Sequence, residues 1–325
     1  MRIVKSGIAT LQDLGRFGYR NFGVSHGGVM DSSAARLTNM LVANPVDATL
    51  VEVLAGAFSM SSTKSQLIAL GGRGFNAFAG EQTLPFWQPL MLPAGETLRL
   101  IPAGGGIAYI AIHGGIRTTP VLGSRNTNLV AGFGGIEGRP LRAGDMLPVA
   151  VMKTEVGEKI IRQLSEPAQH SHLRLSGNVI PDYSINTIRF FTGHHYSSFT
   201  PAARILLESD TFELTGMSNR MGYRFNGAAL QNMFHNELIS AAVVPGTMQV
   251  SPDGQLLILM ADAQTTGGYP CIGQVIGADI PLLAQHGAGS RLQFKCISLN
   301  EAERILLERE ANFRTLQNDY EMHFA

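Results

Sequence analysis

Short apolar runs broken by glycine, proline and small polar residues recur along the whole chain, and only a few stretches carry helical spacing. The runs at 2–4, 50–54, 66–70, 97–101 and 107–113 predict strands, because they are too short for helices and are bounded by turn residues. Residues 10–28 read as a polar, turn-rich segment. A helix is predicted at 32–42: Asp31 can accept from its first free amides, Ala34, Leu37 and Leu41 share one face, and Asn44–Pro45 stops it. Residues 156–164 have helical spacing through Val156, Ile160, Ile161 and Leu164. Thr200–Pro201 is a cap followed by proline at the first helical position, opening 202–207. Pro252-Asp-Gly254 between two apolar runs predicts a hairpin turn. Ser298-x-x-Glu301 is a capping box before a helix to about residue 316, with Ile305, Leu306 and Phe313 on its buried side.

One device occurs three times. Ala94-Gly-Glu, Ala143-Gly-Asp and Ala288-Gly-Ser each precede an apolar stretch, so that glycine turns the chain and the polar residue bonds the turn. The repetition in both halves suggests a duplicated β module. The polar stretch 166–171 marks a boundary, giving a first domain at 1–165, a connector at 166–186 and a second domain at 187–325.

Composition sharpens this picture. The 325 residues include 37 glycines and 15 prolines with only 15% charged residues, which favours a β-rich protein over one with long solvated helices. Lys+Arg and Asp+Glu both total 25 and neither forms a block, so the basic footprint of a nucleic-acid binder is missing. No apolar run is long enough to span a bilayer and no leader is recognisable at the start, so a cytoplasmic protein is expected.

Several motifs fail on context. Gly72-x-Gly74-x-x-Ala77 imitates a dinucleotide fingerprint, but Gly80, Pro85 and Pro89 break the helix that would have to follow. No phosphate-binding Gly-x4-Gly-Lys-Ser/Thr is present. Gly23-Val-Ser25-His-Gly27 matches a nucleophile elbow by letter, yet 20–22 is a poor strand. Met152–Lys153 matches the dipeptide that carries biotin, but Lys153 leads into a helical segment rather than a hairpin tip. His170-x-His172 and His194–His195 have no Cys/His spacing suited to zinc, and no metal site is expected.

The richest stretch is 260–278. Asp262, Gln264, Thr265, Thr266 and Tyr269 crowd around Gly267 and Gly268 directly after an apolar run, as in a binding loop whose glycines admit close approach. Together with Thr10-Leu-Gln-Asp-Leu-Gly-Arg16, Gly23-Val-Ser-His-Gly-Gly-Val-Met-Asp31, Leu122-Gly-Ser-Arg125, Ala131-Gly-Phe-Gly-Gly135, Asn219-Arg-Met-Gly-Tyr-Arg224 and Val244-Pro-Gly-Thr-Met-Gln-Val250, it resembles the biotin-dependent carboxyltransferase-like family. That family includes one component of the ATP-dependent 5-oxoprolinase complex, the carboxyltransferase domain of urea carboxylase and an antagonist of a kinase inhibitor. The resemblance runs from residue 2 to about 300. It departs from the family pattern at Cys271, where lysine is usual, at Asn126, where serine is common, and at His194–His195, which replace a Pro-Gln type of loop.

The resemblance implies a mainly β fold of two cyclophilin-like β-barrel domains with a few peripheral helices. It implies work in a complex with oxoprolinase subunits A and B that opens 5-oxoproline to glutamate, with ATP as cosubstrate of the complex. Biotin would enter only as a carrier-borne substrate. The alternatives are carboxyl transfer to a urea-like amide, or non-catalytic binding of a kinase-inhibitor subunit. Activating a lactam needs cations or amides facing oxyanion charge and a carboxylate to take a proton from water. Asp13, Arg16, Asp31, Arg220 and Asp262 are the candidates for catalysis. Arg125, Arg224, Gln249, Gln264, Thr265, Thr266, Gly267, Gly268 and Tyr269 are candidates for holding a small amide or lactam. About half of these are expected to be scaffold, since paired ionisable groups mark sites only statistically.

Overall fold

The computed structural model describes all residues except 153, 166–174, 176–178, 234–237 and 325. Lys153, His170, His172 and most of the expected connector therefore lie outside the described residues. The chain divides into two compact units, one of residues 1–16, 31–181 and 314–325, the other of residues 17–30 and 182–313. The sequence-based division into consecutive pieces differs from this at 17–30, which cluster with the second unit, and at 314–325, which cluster with the first.

The first unit contains β1 (Arg2–Lys5), β2 (Ile8–Gln12), α1 (Ser32–Leu41), β3 (Leu50–Ala55), β4 (Phe58–Ser61), β5 (Gln66–Gly72), β6 (Phe75–Ala79), β7 (Gln82–Leu84), β8 (Pro89–Leu92), β9 (Thr97–Pro102), β10 (Ala108–Ile112) and α2 (Glu155–Leu164). They build two five-stranded sheets, ordered β1-β4-β9-β6-β7 and β2-β3-β10-β5-β8. Alternate residues of the two sheets, among them Ile3, Met60, Leu98, Val51, Leu70 and Ile110, form one buried core. β10 reads Ala-Tyr-Ile-Ala-Ile and is buried throughout. Its even positions enter the core, while Tyr109 sits on the opposite face, where α1 packs. Coverage on both sides explains why this strand is apolar without alternation.

Seating α1 depends on Gly71. A Cβ there would lie 1.9 Å from Thr38 Oγ1 and 3.3 Å from the Ala34 carbonyl. Asp31 caps the helix as expected, its Oδ1 accepting from the Ser33 and Ala34 amides at 3.0 and 2.9 Å. The turn-rich segment begins later than the sequence suggests, because Thr10–Gln12 complete β2, whose pairing with β3 is long-range and leaves no local signal. A strand, β6, follows Gly72-x-Gly74 where a dinucleotide site needs a helix.

The second unit contains β11 (Thr187–Thr192), α3 (Pro201–Ser209), β12 (Phe212–Leu214), β13 (Gly222–Asn226), β14 (Ala241–Ala242), β15 (Thr247–Val250), β16 (Leu256–Leu259), β17 (Thr266–Gly267), β18 (Cys271–Val275), α4 (Ile280–Ala284) and β19 (Arg291–Cys296). Seven of these strands close in the order β11-β18-β15-β16-β13-β12-β19, the last pairing parallel with β11. Ile188, Phe190, Phe212, Phe225, Met248, Ile258 and Phe294 are buried. Phe294 meets both Phe212 and Phe225 edge-on at 5.6 Å between ring centres, a favoured aromatic arrangement. Among the described residues a closed ring of strands is confined to this unit; the first unit holds paired sheets instead.

α5 (Leu299–His323) is longer than predicted. Ser298 caps it as expected, its Oγ accepting from the Glu301 amide at 3.2 Å. Ala302 is its buried residue, whereas Leu306 is 38% exposed, contrary to expectation. Among the described residues no helix is long and apolar enough to cross a membrane. The three Ala-Gly-polar turns share one backbone state: Gly95, Gly144 and Gly289 have φ of 84°, 95° and 85°, and a Cβ at any of them would meet nothing within 4 Å. Conformation, not crowding, demands glycine at these positions.

Candidate functional site

The loop between β16 and β18 is pinned at both ends. At its start the Asp262 amide donates to the Arg220 carbonyl at 2.9 Å, and the two side chains form a bidentate ion pair, with Nε to Oδ2 at 2.7 Å and Nη2 to Oδ1 at 2.9 Å. Arg220 Nη2 also donates to the Gly28 carbonyl at 2.6 Å, and the Gly27 amide donates to the Ala261 carbonyl at 3.0 Å. Arg220 and Asp262 thus anchor residues 27–28 to the barrel. In mid-loop, β17 pairs with β14, and the Val243 amide donates to the Thr265 carbonyl at 3.0 Å. At the far end Gln249, buried on β15, donates through Nε2 to the Tyr269 carbonyl at 3.3 Å. A Cβ at Gly267 would come within 2.7 Å of that same nitrogen, so this glycine lets the loop close over Gln249.

Gln264, Thr266, Gly268 and Tyr269 remain exposed on the loop. Arg224 is exposed on β13. The structure therefore brings Gln249, Gly267 and Tyr269 together and joins Arg220 to Asp262.

Beyond the loop, Cys271 enters a cleft of about 520 Å³ in the second unit. Its walls include Thr192, His194, Val244, Thr247, Gln274 and Ile280, and among the described residues no Asp, Glu, Lys or Arg lines it. Gln274, on its wall, is held by hydrogen bonds. It donates to the Pro245 carbonyl at 2.9 Å and accepts from Thr247 Oγ1 at 2.9 Å, while Thr247 Oγ1 accepts from the Val244 amide at 3.0 Å. Mixed apolar and neutral polar walls suit a small neutral group such as an amide.

Cys271 and the His194–His195 turn meet at one edge. The His195 amide donates to the Cys271 carbonyl at 3.1 Å, and the Cys271 amide donates to His195 Nδ1 at 3.1 Å. Gly193 makes the approach possible, since a Cβ there would lie 2.5 Å from the Cys271 carbonyl oxygen. The two imidazoles stand 4.0 Å apart between centres. Burial, and then the neighbouring His194, push the His195 pKa down; burial pushes the Cys271 thiol up, against a smaller lowering by Gln249. The thiol is therefore held protonated and is not an activated nucleophile by itself.

The candidates of the first unit have local duties. Asp13 accepts from the Gly15 amide at 2.9 Å, Ser124 Oγ at 2.7 Å and the Arg125 amide at 2.6 Å. Arg16 is 1% exposed, donates to the Val121 and Asn126 carbonyls at 2.9 and 3.3 Å, and lies 4.6 Å from the Phe133 ring centre. Arg125 Nε donates to the Thr118 carbonyl at 2.9 Å. Asp31 is the α1 cap. These groups fold the loops that carry the sequence motifs. Ser25 follows a 3-10 turn at Arg20–Phe22, not the strand a nucleophile elbow requires.

Sequence reasoning overlooked two features. Gln274 and Thr247 face each other across paired strands 27 residues apart, which no local pattern records. Glu52 is fully buried and accepts from the Tyr109 hydroxyl at 2.9 Å, while that hydroxyl accepts from the Asp31 amide at 2.8 Å. Its signal was available: one carboxylate inside the apolar run Leu50-Val-Glu-Val-Leu must find a partner when buried.

A mainly β chain with a closed seven-stranded ring and a neutral cleft beside a Gly-Gly-Tyr-Pro loop has clear relatives. The chain belongs to the family described as the carboxyltransferase domain, subdomains A and B, which matches residues 22–296. It is 36% identical over 318 residues to the C subunit of Escherichia coli 5-oxoprolinase, covering 97% of each chain. It is 35% identical over 306 residues to the C subunit of Haemophilus influenzae 5-oxoprolinase, covering 93% of this chain and 92% of that one. The crystal structure of Kluyveromyces lactis urea carboxylase shares the fold, with a TM-score of 0.83 at 23% identity. That match covers 96% of this chain and 28% of the much longer enzyme.

Proposed function

We propose that this protein is the C subunit of an ATP-dependent 5-oxoprolinase complex, acting with subunits A and B to open 5-oxo-L-proline to L-glutamate while ATP becomes ADP and phosphate. The observation that carries the reading is the end-to-end similarity to two 5-oxoprolinase C subunits, 97% of both chains in one case. The cleft beside Gln274 and Cys271 is the proposed seat of the lactam. Its neutral lining supports binding of a planar amide and, among the described residues, offers no lysine or arginine to a triphosphate. ATP enters the proposal as cosubstrate of the complex, not necessarily bound by this chain.

An unstrained lactam carbonyl is a poor electrophile. Phosphorylating its oxygen makes a leaving group and opens the ring carbon to water, and a site that excludes bulk water while fixing the ring supports that step. In this chain Thr266 and Tyr269, exposed on the loop that leads into Cys271, are proposed to orient the ring, with Gln249 holding that loop in place.

The family match over residues 22–296 also favours a second reading, transfer of a carboxyl group from carrier-borne biotin to a urea-like amide. Reconstitution with subunits A and B separates the two. Glutamate formed in proportion to ADP, and only when all three chains are present, is the expected result. Carboxybiotin-dependent consumption of urea without glutamate would replace the first reading by the second.

A further inference from the structure

The edge of the cleft gathers three metal-ligating side chains that the proposed reaction does not use. His194 and His195 follow β11, and Cys271 opens β18, 76 residues beyond His195. One ligand atom from each lies within 4.8 Å of the other two. A zinc ion bound at about 2.0–2.3 Å from nitrogen and sulfur holds its ligands roughly 3.5 Å apart. Closing that gap requires only a small movement, and the exposed His194 side chain has room to make it.

We propose that His194, His195 and Cys271 form a binding site for one borderline-soft divalent cation, Zn²⁺ or Co²⁺, with its fourth position open to the cleft. The donor set is two imidazoles and one thiol, which selects such ions over the oxygen-seeking Mg²⁺ and Ca²⁺. The backbone is already placed. The Gly193 amide donates to the Ile272 carbonyl at 3.0 Å, and the two His195–Cys271 bonds hold turn and strand together before any ion arrives.

The chemistry balances simply. The thiol proton leaves to solvent as the Cys271 sulfur bonds the metal, and the histidines bind through neutral ring nitrogens. His195 Nδ1 now accepts from the Cys271 amide, so binding at that nitrogen exchanges one neutral hydrogen bond for a coordinate bond. Water or a small ligand of the cleft completes the tetrahedron. An exposed His194 and a structurally bonded, half-buried His195 beside a buried thiol is the competing description, and it predicts no shared ion.

Co²⁺ titration of the purified full chain, freed of metal by chelation, tests the site. The expected result is saturation at one equivalent, a thiolate-to-cobalt charge-transfer band, and loss of that band on adding Zn²⁺. Cys271→Ser should abolish the band and His194→Ala should weaken binding by about tenfold or more, while Cys296→Ser should leave both unchanged. Melting curves without metal show which variants fold. If Cys271→Ser does not, the exposed His194→Ala variant decides. Absence of the band in the native chain, equal binding by His194→Ala, or loss confined to Cys296→Ser would overturn the assignment. The readout needs no enzymatic turnover, so failure of the oxoprolinase reading leaves it standing and its own failure leaves that reading untouched.

Discussion

The guanidinium of Arg220 lies side-on to the carboxylate of Asp262, and the two side chains are only 5% and 2% exposed. Removing one member leaves a buried charge without its counterion, which costs far more than the pair is worth against an apolar replacement. Arg220→Ala is expected to lower stability by about 3–5 kcal/mol, read as an earlier urea midpoint with an unchanged slope. A variant that melts normally yet is inactive in the reconstituted complex would instead place the pair in the chemistry.

Gly71→Ala introduces a methyl group where Thr38 Oγ1 already sits, 1.9 Å away, and that hydroxyl is itself bonded to the Ala34 carbonyl at 2.6 Å. Helix α1 must lift from β5 or lose the bond. The expected cost is about 1–3 kcal/mol in chemical denaturation. Pairing the change with Thr38→Ala should recover part of it, and no recovery would exclude this contact as the cause.

Tyr109 sets an alkaline limit. Burial first, then the charges of Glu52 and Asp31, raise its phenol well above the ordinary value. The unfolded chain ionises near pH 10 while the folded one resists, so this contribution is complete below about pH 10 and is lost as pH rises above it. Tyr109→Phe should cost about 1–3 kcal/mol at neutral pH by taking a donor from Glu52. It should also make the fall of melting temperature above about pH 10 shallower. An identical alkaline slope in both proteins would show that Tyr109 does not govern it.

Thr266 and Gln264 are exposed on the loop, so their alanine variants should change stability by no more than about 0.5 kcal/mol. Under the oxoprolinase reading Thr266→Ala lowers glutamate formation about tenfold or more, as expected when a group orienting the substrate is lost. Steady-state assays of the three-chain mixture measure this, and full activity would remove Thr266 from the substrate rim.

Much of the fold was legible because its cues are local. The Asp31, Thr200 and Ser298 caps each sit where the sequence places a helix start. The Pro252-Asp-Gly254 turn joins β15 to β16 as predicted. The site was less legible. Arginine and aspartate look alike in sequence whether they meet substrate or tie loops, and Asp13, Arg16 and Asp31 are all engaged by backbone groups. His194–His195 show no metal-ligand spacing in the sequence because the nearby donor, Cys271, is distant along the chain.

The order of apolar and polar residues determined, without help, that the chain is β-rich, where its helices begin and where its hairpins turn. Those features depend on contacts within a few residues, which periodicity and capping express directly. Tertiary structure alone decided that 17–30 cluster with the second unit, that Glu52 is buried against Tyr109, and that Cys271 meets two histidines at the edge of a neutral cleft. These depend on strand pairing across long separations, where register sets which side chains share a face and no short motif records the outcome.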